Sequence, residues 1–202
     1  MENTLKIYYP FKPFKITQHW GNANGAYAAQ FNDPDFKLHN GVDANIGAMN
    51  WDGSMVSEYP VYCPVEKFTV QRIDFSPQGG GNELWLISDE PLTMFERTCH
   101  AYIPLCHAKK ILVNAGDKPK LGELLMIADN TGFSTGIHTH MGLYRVDYDG
   151  IRITNYHDKN EANGSFSPEL FFTGEYAIDK ADLATLIRSN IRYFAYKMGV
   201  GN

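Results

Sequence analysis

The chain has 202 residues, 44% of them hydrophobic, enough for a core that needs neither disulfides nor a structural metal. A net charge of −5 and the lack of any Lys/Arg-rich run argue against a nucleic-acid partner. No apolar stretch reaches the roughly 18–20 residues of a membrane-crossing helix, so no membrane span is expected.

Taken in order, residues 1–20 carry short aromatic and β-branched runs, Ile7-Tyr8-Tyr9 and Phe14-Lys15-Ile16-Thr17. Pro10 and Pro13 interrupt them, which predicts extended edge chain. No apolar run follows the opening Met1-Glu2-Asn3-Thr4-Leu5-Lys6, so no signal peptide is expected. Residues 21–35, rich in Gly, Ala and Asn, predict a covering loop with a short helix at 26–31. Residues 44–60 predict a long connection at the rim of a cleft. Strand patterns then follow closely, at 61–63, 67–73, 83–87, 98–103, 111–113, 123–128, 138–146 and 151–154. Turns such as Pro77-Gln78-Gly79-Gly80-Gly81 and Tyr148-Asp149-Gly150 separate them. This density predicts a mainly β fold, an antiparallel β-sheet domain of sandwich or open-barrel type.

The tail reads differently. Between 179 and 198, Leu183, Leu186, Ile187, Ile191, Phe194 and Met198 share one helical face. That face is predicted to pack on the back of the sheet, with docking to a partner as the alternative. Asp179 is the expected cap, Asp182 the third helical position and Gly199 the stop. The expected organisation is therefore a domain over 1–175 with a cleft for a metal, and a helical extension over 176–202 packed on it. Cys63, Cys99 and Cys106, with no Cys-x-x-Cys pair, are expected to be free buried thiols.

The chemistry concentrates in Thr131-Gly132-Phe133-Ser134-Thr135-Gly136-Ile137-His138-Thr139-His140. Residues two apart on a strand point to the same face, about 6.6–7 Å apart, so His138 and His140 look into one cleft. Far upstream stands His39-Asn40-Gly41-Val42-Asp43. Fully extended, His39 and Asp43 would lie about 13 Å apart, too far to share a metal. Gly41 and β-branched Val42 argue against a helix. A bend at Asn40-Gly41, both tolerant of unusual backbone angles, brings the two together. His39, Asp43 and one histidine of the 138/140 pair then supply two imidazoles and a carboxylate. Three protein ligands leave a fourth position for water, the arrangement of a catalytic zinc. Non-haem iron oxygenases use the same ligand types. The four-residue His–Asp spacing and the extra imidazole beside the last ligand count against that reading.

In this order the segments resemble the lysostaphin-type zinc endopeptidases, which hydrolyse peptide bonds in peptidoglycan stems or cross-bridges. The resemblance rests on His39 to Asp43, on His107 followed by Val113, Gly116 and Gly122, and on Thr131 to His140. Ile16-Thr17-Gln18-His19-Trp20-Gly21 and Val61-Tyr62-Cys63-Pro64 are similar to the family's opening strands, so the match covers about 14–172. It implies a Zn2+ cofactor held by His39, Asp43 and His140, with His107 and His138 as the catalytic histidines outside the ligand set. It also implies a peptidoglycan peptide as substrate, and the chain is expected to be a monomer. Without a signal peptide, such an enzyme reaches the wall as a phage-type lysin or virion-borne protein, or from a longer precursor. Leu105, Ile137, Thr139 and Met141, and the length of 44–60, depart from the family pattern. They bear on substrate choice and cleft shape. His100, in a Cys-His-Ala that echoes Cys106-His107-Ala108, rivals His107 on local sequence; the downstream glycines favour His107. His19 and His157 read as surface residues. The alternative function is a non-catalytic wall-binding or structural protein on the same fold, expected to lack ligands.

Overall fold

The computed structural model describes residues 4–23, 38–45, 58–155 and 164–200. Most of the expected covering loop, most of the 44–60 connection and His157 lie outside them.

Among the described residues a nine-stranded sheet is built around β8 (Arg97–Cys106). Along its length β8 pairs antiparallel with β7 (Leu92–Met94), β12 (Tyr144–Tyr148), β6 (Gly81–Ser88) and β11 (Thr139–Gly142). From β11 the sheet continues through β3 (Gly41–Asn45) to β2 (Lys15–Gln18), from β6 to β5 (Phe68–Ser76), and from β12 to β13 (Ile153–Asn155). A three-stranded sheet orders β4 (Tyr59–Tyr62), β10 (Leu124–Ala128) and β9 (Ala108–Ile111), and β1 (Ile7–Tyr9) pairs parallel with β14 (Phe172–Tyr176). The expected mainly antiparallel β architecture is the one observed.

Strand alternation separates core from cleft. Side chains at successive strand positions point to opposite faces. Cys99, Ala101, Ile103 and Leu105 of β8 enter the core with Leu84 and Leu86 of β6, Val42 and Ala44 of β3 and Met141 of β11. Val61, Met126 and Ala128 of the smaller sheet close it. The intervening residues of the same strands, Pro104, Cys106, Glu83, Trp85, Asp43 and His140, line a cleft. All three cysteines are buried and free, as expected.

The helix runs Leu183–Lys197, and two details of it differ from expectation. Its cap is Asp182, whose side chain accepts from the Thr185 backbone N–H at 2.7 Å. Asp179 instead lies in a short 3-10 turn, Ala177–Lys180, and pairs with Lys12 at 3.0 Å. The second difference concerns the apolar face, which is turned outward. Thr185 and Ser189 are the buried positions, while Leu183, Ile187, Ile191, Phe194 and Met198 are 50–73% exposed. Polar demand sets this orientation. Ser189 Oγ accepts from the backbone N–H of Leu124 at 2.9 Å, and Arg192 meets the buried carboxylate of Glu123 at 2.6 Å. An unpaired buried N–H or carboxylate costs more than leaving aliphatic surface in water. Gly199, at φ +66°, ends the helix as expected.

Candidate metal centre

The register of β11 places His140 opposite Asp43 of β3 and opposite Cys106 of β8. His39 precedes β3, and the chain bends at Asn40 as expected. The reason for Gly41 is different from the expected one. Neither Asn40 nor Gly41 has a positive φ. A Cβ at Gly41 would lie 2.4 Å from the Met141 carbonyl oxygen and 2.7 Å from Cε1 and Nε2 of His140. Glycine is required there because the imidazole rests on its α-carbon.

Three donor atoms converge. His39 Nε2 lies 3.1 Å from Asp43 Oδ1 and 3.1 Å from His140 Nδ1, and His140 Nδ1 lies 2.9 Å from Asp43 Oδ1. Bonds of about 2.0–2.1 Å in a tetrahedral shell put ligand atoms about 3.3 Å apart, so this triangle needs little adjustment to hold zinc. The tautomer of His39 suits the task. Its Nδ1–H donates to the His19 carbonyl oxygen at 3.1 Å, which leaves the Nε2 lone pair directed at the other two donors.

His107 and His138 stand beside this triangle, their ring centroids 4.5 Å apart. Each ties Nδ1–H to a backbone carbonyl, His107 to Thr131 at 2.8 Å and His138 to Gly136 at 2.7 Å. Each therefore keeps Nε2 clear of the backbone, and that of His138 meets Asp43 Oδ1 at 3.5 Å. His107 sits at φ +67°, a left-handed conformation rare outside glycine. Its N–H donates to the Gly80 carbonyl at 2.7 Å, and its carbonyl accepts from Asp129 at 3.0 Å. The hairpin glycines complete the clamp. A Cβ at Gly132 would meet the backbone nitrogen of Gly81 at 2.2 Å, so the 79–81 turn and the 131–132 turn pack backbone on backbone.

Charge is arranged unevenly in the cluster. Burial alone would raise the Asp43 carboxyl, but hydrogen bonds from His138, His140 and His39 hold it far below the ordinary carboxylate range. Burial, with His138 and His140 nearby, pushes His107 down to about 4. Burial lowers His140 as well, against the pull of Asp43. Burial also opposes the charging of His138, yet its contact with Asp43 prevails and its pKa is raised.

The five expected site residues thus line one cleft of about 390 Å³. His100 does not. It is buried with Nδ1 donating to the Ser88 carbonyl oxygen at 2.7 Å. His19 is exposed and meets Glu169 at 2.8 Å, while its carbonyl orients His39. Sequence reasoning missed Asn40, Glu83, Trp85, Phe133 and Tyr144 as cleft residues. Tyr144 Oη accepts from Asn40 Nδ2 at 2.9 Å and keeps its own proton to donate; burial raises its pKa. The even spacing of Tyr144 from His140, which strand alternation puts on the same face, was the available clue.

Comparison with solved structures identifies the fold. The chain superposes on the catalytic domain of the antimicrobial peptidase lysostaphin from Staphylococcus simulans with a TM-score of 0.53 and 21% identity, over 78% of this chain and 91% of that one. The fold is that of the lysostaphin-type peptidases. A zinc-containing peptidase from Vibrio cholerae matches with a TM-score of 0.50 and 21% identity, over 76% of this chain and 39% of that one. A chain of the SpoIIQ–SpoIIIAH pore-forming complex matches at 0.51 and 13% identity, over 89% and 99%. In sequence, 45 residues are 42% identical to an uncharacterized metalloprotease of Buchnera aphidicola subsp. Baizongia pistaciae (strain Bp). That stretch spans 22% of this chain and 12% of the Buchnera protein. No protein-family model matches the chain. Among the described residues no helix is long and apolar enough to cross a membrane.

Proposed function

We propose that this protein is a zinc-dependent endopeptidase that hydrolyses peptide bonds of bacterial peptidoglycan, in the stem peptide or the cross-bridge. The observation that carries the reading is the convergence of His39 Nε2, Asp43 Oδ1 and His140 Nδ1 beside two imidazoles whose Nδ1 atoms are tied to backbone carbonyls. His39, Asp43 and His140 are the proposed ligands, and His107 and His138 the proposed catalytic pair. Zinc at this position supplies Lewis-acid activation of water and of the scissile carbonyl. One histidine of the pair accepts the water proton through Nε2. The other donates to the developing oxyanion or the leaving amine. Hydrogen bonds from Nδ1 to the Thr131 and Gly136 carbonyls hold both rings in the tautomer these roles require. Asp43 carries the negative charge that keeps His138 a ready donor.

The similarity to lysostaphin supports the choice of peptidoglycan over other peptides, and with it an enzyme acting at the cell wall. The pore-complex neighbour favours a second reading, a non-catalytic protein on the same fold. One experiment separates the two. Purified peptidoglycans of several cross-bridge types are incubated with the zinc-loaded protein, and the fragments are read by mass spectrometry. Cleavage of one bond type supports the endopeptidase. Intact peptidoglycan in every case, with stoichiometric zinc in the protein, supports the structural role.

A further inference from the structure

The helix Leu183–Lys197 presents opposite chemistry on its two sides. At about 100° per residue, Leu183, Ile187, Ile191, Phe194 and Met198 fall within an arc of about 80°. Thr185, Ser189, Arg192 and Tyr196 occupy the far side, and that side is fastened to the domain. Ser189 meets Leu124, Arg192 meets Glu123, and Tyr196 donates to Glu58 at 2.8 Å. The apolar stripe has no cover among the described residues, and its members are 50–73% exposed.

We propose that this stripe is a self-association surface, on which a second copy of this chain docks its own helix antiparallel across a two-fold axis. The spacing of the stripe is the first argument. Steps of four, four, three and four read almost identically from either end. An antiparallel two-fold pair therefore lays Leu183 on Met198 of the second copy and Ile187 on its Phe194, with Ile191 next to its own counterpart beside the axis. Such self-complementarity is what an isologous interface demands. Steps of three and four residues also suit side-chain interdigitation between helices crossing at about 20°.

Charge is compatible with that pairing. Arg188 and Lys197 flank the stripe, and the antiparallel arrangement sets them against Ala195 and Leu186 of the second copy. No two like charges meet. Area is the third argument. With about 150–200 Å² available to each large apolar residue, five residues at these exposures offer on the order of 550 Å². A pair buries on the order of 1,100 Å², which reaches the roughly 1,000 Å² expected of a specific contact. An apolar patch of several hundred Å² is also large for a surface facing only water. The domains remain on the outer sides of the helix pair, because each is attached to the face opposite the stripe.

The test is sedimentation equilibrium of the intact chain from about 1 to 200 µM, with an Ile191→Glu variant beside it. The expected result is a mass that rises towards twice the monomer value. In Ile191→Glu, which brings two carboxylates together near the axis, the dissociation constant rises at least about 100-fold, with an unchanged melting temperature at dilutions where both proteins are monomeric. Oxidative cross-linking supplies the orientation. Ile191→Cys should form a disulfide dimer on its own, whereas Leu183→Cys and Met198→Cys should do so only when mixed. A mass that stays monomeric at every concentration overturns the proposal. So does self-linking of Leu183→Cys, which marks a parallel pair. A melting temperature that falls with Ile191→Glu at dilutions where both proteins are monomeric also overturns it, since the stripe is then covered within its own chain.

Discussion

The imidazole of His140 lies on the α-carbon of Gly41, so close that a Cβ there would sit 2.7 Å from Cε1 and Nε2. The contact aims His140 Nδ1 at Asp43 and His39, so a glycine two residues from each of them helps set the triangle of proposed ligands. Gly41→Ala is expected to push His140 out of line, since the Met141 carbonyl at 2.4 Å blocks escape on the other side. Zinc affinity should fall about 10–100-fold, the usual cost of disturbing a ligand's orientation. Competition with a chromophoric chelator measures it, and unchanged affinity would contradict this role for Gly41.

The two histidines of the 138/140 pair should separate by substitution. His140→Ala removes a proposed ligand and is expected to empty the site. His138→Ala should keep near-stoichiometric zinc and lose about 10²–10⁴-fold in kcat, and His107→Ala should do the same. Zinc content after dialysis and cleavage rate are read on all three. Loss of metal from His138→Ala with retention by His140→Ala would reverse the assignment.

Chelation should leave the fold intact. The core is closed by Val42, Leu84, Leu86, Ile103, Leu105 and Met126, none of which depends on a metal. Removal of zinc is expected to abolish cleavage while the far-UV circular dichroism stays that of a β protein, unlike a small zinc finger that unfolds. Collapse of the spectrum on chelation at room temperature is the contrary result.

The helix anchor predicts a pH dependence of stability. Burial opposes ionisation of Glu58, but Lys197, Lys109 and Tyr196 overcome it and lower its pKa from the ordinary 4.5 to about 2. A depressed carboxyl stabilises the folded state above its unfolded pKa. That contribution is lost as pH falls from 4.5 towards 2, where the unfolded chain binds the proton first. Glu58→Gln should therefore melt below wild type at pH 6 and match it near pH 2. A difference between the two that does not shrink on acidification would show that Glu58 acts by other means.

His107 contributes a second window in the metal-free protein. Its pKa is lowered from 6.5 to about 4, so the unfolded state takes up a proton that the folded state refuses between these values. Stability of the chelated protein should decline as pH drops from 6.5 to 4, and His107→Gln should flatten that slope. An equal slope in both proteins, followed by thermal unfolding, counts against a buried neutral His107.

The sequence by itself determined the strand-rich architecture and the five side chains that meet in one cleft. Alternation of apolar and polar residues is a local property, and a two-residue period forces His138 and His140 to one side whatever they later meet. The same is true of the bend at Asn40, because an extended His39–Asp43 segment could not share any ligand. The helix showed the limit of such reasoning. Its periodicity revealed an apolar stripe correctly but could not say which way the stripe would face. The buried Glu123 carboxylate and the free N–H of Leu124 turned Arg192 and Ser189 inward, and those demands lie about 65–70 residues away in the chain. Only the tertiary structure decided, too, that Gly41 is needed for close approach of His140, and that Tyr144 and Glu83 line the cleft. Each of these depends on sheet register, which pairs residues distant in sequence. The energy of that pairing belongs to the whole sheet and to no short stretch of it.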